Sequence, residues 1–212
     1  MTDIVAAAIA QVSGRHHARG NAMARWHGVQ RYNNVAIALH WIIAALLLTQ
    51  IYVGWTFEDM PRGPSQGMWF TWHKTLGMLI LLLSVARLAW RFMNPPPPLP
   101  AELPQWERTV ARINHTLFYV VMIGLPLTGW AAISTVRAAA TSSATTMLGG
   151  IPLPFIPGLP LSSHDAFEFG HGALIKLTYA LIILHVGAAL QHQFVDKRAT
   201  AGRMPPFGTG RR

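Results

Sequence analysis

The strongest constraint on the fold is a long uncharged stretch near the amino terminus. No charged residue lies between Arg31 and Glu58, and the centre of this stretch reads VAIALHWIIAALLLTQIYVGW. An apolar segment of about 20 residues is long enough to cross the hydrocarbon core of a bilayer as a helix. We therefore expect a membrane span over about residues 35–55.

Three further apolar stretches follow the same pattern. They predict membrane spans over about residues 69–91, 112–134 and 171–195. Only 12% of the residues are charged, whereas soluble domains have roughly 25%. These features exclude an ordinary soluble domain and predict an all-α, integral membrane four-helix bundle.

The distribution of Lys and Arg predicts the orientation of the helices. The chain has 17 Lys and Arg and a net charge of +9, which would also be typical of a nucleic-acid-binding protein. Most of these cations lie in the two tails and between the second and third spans, at Arg15, Arg19, Arg25, Arg31, Arg87, Arg91, Arg108, Arg112, Lys197, Arg198, Arg203, Arg211 and Arg212. By the positive-inside rule these segments face the cytoplasm. We expect both termini in the cytoplasm, membrane lipid around the spans and no nucleic-acid partner.

The segments outside the spans predict the domain organisation. We expect a basic, poorly ordered cytoplasmic tail at residues 1–33, a helical domain at 34–197 and a second cytoplasmic tail at 198–212. The sequence NPPPPLP at residues 94–100 predicts a stiff, extended connector. The prolines between residues 134 and 168 disfavour a helix, so we expect a loop packed over the outer face.

Histidine is the residue type that carries candidate chemistry. The chain has no cysteine, which excludes disulfides, thiolate nucleophiles and cysteine-ligated metal centres. Six of its ten histidines lie in or beside the predicted spans, namely His40, His73, His115, His171, His185 and His192. One such histidine would more often hydrogen-bond to a neighbouring helix. Several together favour a site, because burying imidazole nitrogens costs free energy unless something binds them.

The depths of these histidines predict two pairs. His40 lies about 9 Å from the cytoplasmic edge of its span, and His73 lies about 6 Å from the outer edge of the next span. The spacing of His171 and His185 corresponds to a rise of about 21 Å on one helix face. We therefore predict that His40 pairs with His185 and His73 with His171. His185 and His192, about 10 Å apart along the helix, do not match the two levels.

Facing imidazoles favour a haem iron held on both sides. Zinc is the competing metal, but it usually takes four ligands, so two sites of two histidines would each be half filled. Small residues one turn beyond three of the histidines, Ala44, Gly77 and Ala189, would leave room for a ring, although small residues are also common wherever membrane helices touch. Further candidates, for contacts to haem propionates or to a quinone, are His115, His192, Lys74 and Arg87.

The order of these segments resembles the bacterial cytochrome b561 family over about residues 31–204. The segments that carry the resemblance are RYNNVAIALHW, WHKTLGMLILLLSVARLAWR, NPPPPLP, INHTLFYVVMIGLPLTGW and GHGALIKLTYALIILHVGAALQHQFVDK, followed by RM. The resemblance implies a bundle in the bacterial inner membrane with two haem b groups. It makes His40 and His185 the ligands of the haem nearer the cytoplasm, and His73 and His171 the ligands of the outer one. Several members have two adjacent histidines where this chain has His192 and then Gln193.

The resemblance also implies a function in electron transport. We expect a dihaem cytochrome that moves electrons between the periplasmic face and the quinone pool. Some relatives oxidise superoxide and reduce ubiquinone, and others are the cytochrome subunits of nickel–iron hydrogenases. The chain is thus either a superoxide:quinone oxidoreductase or an electron carrier with a periplasmic redox partner. The alternative is a non-redox membrane transporter or metal-binding scaffold that uses the same histidines.

Overall fold

Four long helices make up most of the protein in a computed structural model, which describes residues 31–99, 103–136, 144–195 and 203–204. The helices are α1 (Asn34–Glu58), α2 (Pro64–Met93), α3 (Gln105–Ser134) and α4 (His164–Leu190). A π-helical turn, Gln191–Val195, extends α4. All four helices are long and apolar enough to cross a membrane. The expected all-α, four-helix membrane bundle is therefore confirmed.

The helices extend beyond the apolar stretches that predicted them. α3 begins at Gln105 rather than near residue 112, and α4 begins at His164 rather than near residue 171. Each of these early turns contains an acidic residue, Glu107 or Asp165, which stabilises a helix amino terminus electrostatically. The hydropathy pattern did not indicate these turns because they are polar. Most of both expected tails, and residue 197 at the end of the expected helical domain, lie outside the described residues.

The apolar core lies at mid-height in the bundle. Helix α1 packs on α2, α2 on α3 and α3 on α4. The buried core residues are Ile43, Leu47, Ile80, Val121, Met122 and Leu181. Many large apolar side chains face outward instead, such as Leu82 at 66% exposure and Ile183 at 74%. An apolar exterior around a small core is typical of a bundle whose solvent is lipid.

The connection between α3 and α4 contains a hairpin that its prolines did not indicate. Strand β1 (Ala144–Thr146) pairs antiparallel with strand β2 (Pro152–Pro154). Gly149 and Gly150 have φ of 74° and 75° in the turn between them, a conformation that glycine adopts without steric cost. Prolines are compatible with these strands, because within the described residues neither strand has a second neighbour to which a proline would have to donate.

Side chains of α2 and α3 hold this hairpin over one end of the bundle. The indole Nε1 of Trp130 donates to the carbonyl of Pro154 at 2.8 Å. The hydroxyl of Thr75 accepts from the amide of Leu148 at 3.0 Å. The hairpin therefore covers one end of the bundle, as a packed loop was expected to do.

Arg203 ties the carboxyl-terminal segment to the opposite end. Its side chain is 5% exposed and donates from Nη2 to the carbonyls of Pro97 and Pro98, at 2.6 and 2.9 Å. Its own carbonyl accepts from the amide of Tyr32 at 3.2 Å. Arg203 thus joins the described part of the proline connector to Tyr32, just before α1.

Candidate functional site

The first histidine pair joins α1 and α4. The ring centroids of His40 and His185 are 6.2 Å apart, with 63° between the ring planes. Two imidazoles that bind one metal ion from opposite sides, through metal–nitrogen bonds of about 2 Å, have centroids about 6 Å apart. The separation of these rings therefore has the size that a shared metal ion requires.

The second pair joins α2 and α4 and has nearly the same geometry. The ring centroids of His73 and His171 are 6.3 Å apart, with 73° between the planes. Since His171 and His185 lie on the same continuous helix, the two pairs are about 21 Å apart along its axis. The structure thus brings together the two pairs that the depths of the histidines predict, with the apolar core between them.

Neither pair joins helices whose backbones pack closely along their length. Among the described residues, each long helix packs its backbone closely against the helix that precedes or follows it in the chain. α1 and α4 meet through side chains, for example where Trp55 Nε1 donates to the hydroxyl of Tyr179 at 2.9 Å. Space therefore remains between the helices that carry the paired imidazoles.

The contacts of His171 determine which of its nitrogens is free. Its Nδ1 lies 3.0 Å from the carbonyl oxygen of Leu125, and a carbonyl oxygen can only accept a hydrogen bond. The proton is therefore on Nδ1, and Nε2 keeps the lone pair that a metal ion would bind. The hydroxyl of Thr128 lies 3.2 Å from the same Nδ1 and helps to fix the ring.

Two buried amides contact the Nδ1 atoms of the next two histidines. Gln50 Nε2 lies 3.1 Å from Nδ1 of His73, and Asn114 Nδ2 lies 3.4 Å from Nδ1 of His185. The oxygens of both amides are buried and have no partner among the described residues. Turning the Asn114 amide over would let its oxygen accept from a protonated Nδ1 of His185 and leave Nε2 free. The Gln50 amide is held in its orientation, because its Nε2 also donates to the backbone carbonyl of His73 at 3.0 Å. The orphaned oxygen of Asn114 thus fits a site in which Nε2 of His185 is used by a ligand.

Arg87 makes the corresponding contact with His40, but with different chemistry. Its Nη2 lies 3.2 Å from Nδ1 of His40. A guanidinium can only donate, so this contact needs an unprotonated Nδ1, whereas a neutral imidazole that binds a metal through Nε2 carries its proton on Nδ1. The guanidinium would therefore turn away from His40 when Nε2 is occupied.

Glycines leave room for the rings of the second pair. A Cβ atom added to Gly129 would lie 3.1 Å from Cε1 of His171, which is closer than most real Cβ contacts. A Cβ on Gly54 would lie 3.6 Å from Cε1 of His73, and one on Gly77 would lie 3.6 Å from Nε2 of Gln50. Gly129 therefore permits the close approach of α3 to the imidazole of His171.

The remaining sequence candidates occupy different parts of the bundle. The ring of His115 lies 5.6 Å from that of His185, centroid to centroid. Nζ of Lys74 donates to the hydroxyl of Thr145 at 2.7 Å, at the hairpin end. His192 lies in the π-helical turn, where its Nε2 is 3.9 Å from Oε2 of Glu107.

Sequence reasoning missed the residues that orient the imidazoles. These are Gln50, Asn114, Leu125, Thr128 and Gly129. A signal for the first existed, since Gln50 is a lone amide in an otherwise apolar span. Asn114 gives the same signal, as the one amide in the span predicted over residues 112–134. Leu125, Thr128 and Gly129 give none, because residues of these types are common in apolar spans. No three His, Asp or Glu side chains in the described ranges form a group that could hold a metal ion.

Comparison with known proteins identifies the family. The family described as prokaryotic cytochrome b561 matches residues 31–206 of the chain. The chain belongs to this family. As a cytochrome b561 it is a multi-pass membrane b-type cytochrome that binds haem b and transfers electrons.

Individual relatives cover most of the chain. Cytochrome b561 homolog 2 of Escherichia coli strain K12 is 27% identical over 82% of this chain and 91% of its own length. Cytochrome b561 homolog 1 of the same strain is 28% identical, over 84% and 98%. The probable superoxide oxidase CybB of Yersinia pestis is 25% identical, over 85% and 99%. These relatives confirm the resemblance that the ordered segments indicate.

Proposed function

We propose that this cytochrome holds two haem b groups, for which His40 and His185 would be the ligands at one level and His73 and His171 the ligands at the other. The observation that carries the proposal is the near-identical centroid separation in the two pairs, 6.2 and 6.3 Å. Neutral imidazoles on both sides suit a low-spin haem iron, which supplies one-electron redox chemistry when bound.

The chain's own residues would fix the ligands and their surroundings. The carbonyl of Leu125 keeps the proton of His171 on Nδ1, and the buried amide of Asn114 can do the same for His185. Such partners orient a ligating imidazole and tune its basicity. The apolar core between the two levels excludes water from the path of the electrons.

We further propose the partners and the orientation. The His40–His185 end faces the cytoplasm of a bacterium in the inner membrane, and a quinone in the bilayer is reduced there. Superoxide is oxidised at the His73–His171 end, where Lys74 provides a cation. Two superoxide ions give two molecules of O2 and two electrons, and these electrons with two protons convert one quinone to a hydroquinone. The name of the Yersinia pestis relative supports superoxide as the donor.

A purified sample tests this proposal. We expect b-type bands in the reduced-minus-oxidised spectrum and about two haems per chain in a pyridine haemochrome assay. Superoxide should drive reduction of ubiquinone above the uncatalysed rate. One haem per chain would contradict the dihaem assignment. A background rate with superoxide would instead favour a carrier that takes electrons from a periplasmic redox protein.

Replacing Arg87 by glutamine should lower the reduction potential of one haem. Arg87 lies beside His40 and Tyr119, so its charge stays at this end of the bundle even when the guanidinium turns away from Nδ1. A nearby cation favours the reduced state, which has one positive charge less. We expect a decrease of about 50–100 mV for the haem at His40 and His185. A potentiometric titration followed by absorbance measures the change.

The variant Arg87→Lys is the matched control, since it keeps the positive charge. It should leave the potential within about 20 mV of the wild-type value, because the long lysine side chain can place its ammonium nearby. An equal shift of both haems in Arg87→Gln would show that the substitution acts on the whole bundle rather than on this pair.

A further inference from the structure

A groove of about 500 Å³ opens between α2 and α3 at the His40–His185 end of the bundle. Apolar side chains form its walls, among them Leu88, Val120 and Ile123. Val120 is 52% exposed, so the groove opens on the outer surface that lipid would cover. A volume of this size is within the range of pockets that bind small organic molecules.

Four polar side chains also line the groove, namely Arg91, His115, Thr116 and Tyr119. The ring nitrogens of His115 have no hydrogen-bond partner among the described residues. On its other side this ring contacts the ring of His185 at a centroid separation of 5.6 Å. His115 therefore has hydrogen-bonding capacity to offer to a molecule in the groove, directly beside a proposed haem ligand.

The groove is also positively charged. The guanidinium carbons of Arg87 and Arg91 lie 5.7 and 5.8 Å from the ring centroid of Tyr119. Within the described ranges, neither of these arginines forms an ion pair with a carboxylate. Two uncompensated cations favour a ligand whose oxygen atoms gain negative charge as it is reduced.

We propose that this groove binds the head group of a lipid-soluble para-quinone, with His115 and Arg91 donating hydrogen bonds to its carbonyl oxygens. The apolar walls contact the ring and the first part of its isoprenoid tail. The placement rests on the proposed function, because the cytochrome must deliver the electrons. The quinone takes two electrons, released by two superoxide ions, and two protons from water, and its two C=O groups become C–OH groups. A phospholipid acyl chain would use the walls but none of the donors.

The test uses the full-length, haem-loaded protein in phosphatidylcholine nanodiscs with a short-chain ubiquinone as probe. Val120→Trp should fill the groove and raise the KM for the probe about tenfold or more, because an indole occupies the volume that the ring needs. Haem content and the absorption spectrum should stay as in the wild type. Ile113→Trp is the matched control, because Ile113 is 54% exposed on the same helix and does not line the groove.

A second variant tests the polar contact. His115→Gln should raise the KM for the probe about tenfold, the effect of one hydrogen bond in a partly buried site. A photoreactive azidoquinone should label α2 and α3 beside the groove, and Val120→Trp should abolish the label. The location is overturned if both variants keep the wild-type KM, if Ile113→Trp raises it equally, or if the label lies elsewhere. Failure of the wild type to reduce the probe would instead contradict the quinone acceptor of the proposed function.

Discussion

Replacing His73 by alanine is expected to lower the haem content of the purified protein from about two to about one per chain. His73 faces His171 at 6.3 Å and lies about 15 Å or more along the membrane normal from the other pair. Without the imidazole of His73, only His171 would remain to hold a haem at this end. The pyridine haemochrome assay measures the content, and a redox titration should show one component instead of two.

A complementary variant and a matched control test whether the loss of haem is specific to the His73–His171 pair. His40→Ala should leave the other redox component, so that the two variants together account for both components of the wild type. His164→Ala should keep two haems, because His164 contacts the carbonyl of Ala132 and the carboxylate of Glu168 rather than another imidazole. Loss of both haems in a His73→Ala protein that retains its helical circular dichroism would contradict the pairing.

Replacing Gly129 by leucine should lower the haem content almost as much as His73→Ala, although no histidine is substituted. A Cβ at this position lies 3.1 Å from Cε1 of His171, and the further atoms of leucine would occupy the space of the imidazole. The ring would have to leave its hydrogen bond to Leu125 and its position opposite His73. We expect about one haem per chain and loss of the redox component that His73→Ala also removes.

Gly187→Leu is the matched control for this substitution. Gly187 lies in α4, and a Cβ there meets no atom within 4 Å. The same change in size and helix propensity should therefore leave both haems in place. If Gly129→Leu also retains two haems with unchanged potentials, the close approach of α3 does not position His171.

Much of the site could be predicted from the sequence, because an α-helix has a fixed rise and rotation per residue. The number of residues between two histidines on one helix therefore gives the distance between them and the face on which each lies. The spacing of His171 and His185 fixes their separation along α4 and puts them on one face. The charge distribution supplies the direction of each span and hence the depth of His40 and His73. The resulting pairs are those that the structure brings together, with ring separations of 6.2 and 6.3 Å.

The structure of the connection after α3 could not be predicted from the sequence. Its prolines predict a loop, and the two-stranded hairpin depends on contacts with Thr75 and Trp130, which lie on two different helices. Contacts between residues remote in sequence leave no periodic signal in a single chain. The sequence likewise did not predict the groove beside His115, since residues of two different helices, α2 and α3, form it.

The sequence by itself therefore determined the number of helices, their apolar character and the two histidine pairs, His40 with His185 and His73 with His171. Hydropathy and helical rise are local properties, and each can be read along one segment. Only the tertiary structure decided the rest. The proton position on His171, the room provided by Gly129 and the amides that contact His73 and His185 depend on atoms from neighbouring helices. Their contacts are set by how the helices pack, which no single segment encodes.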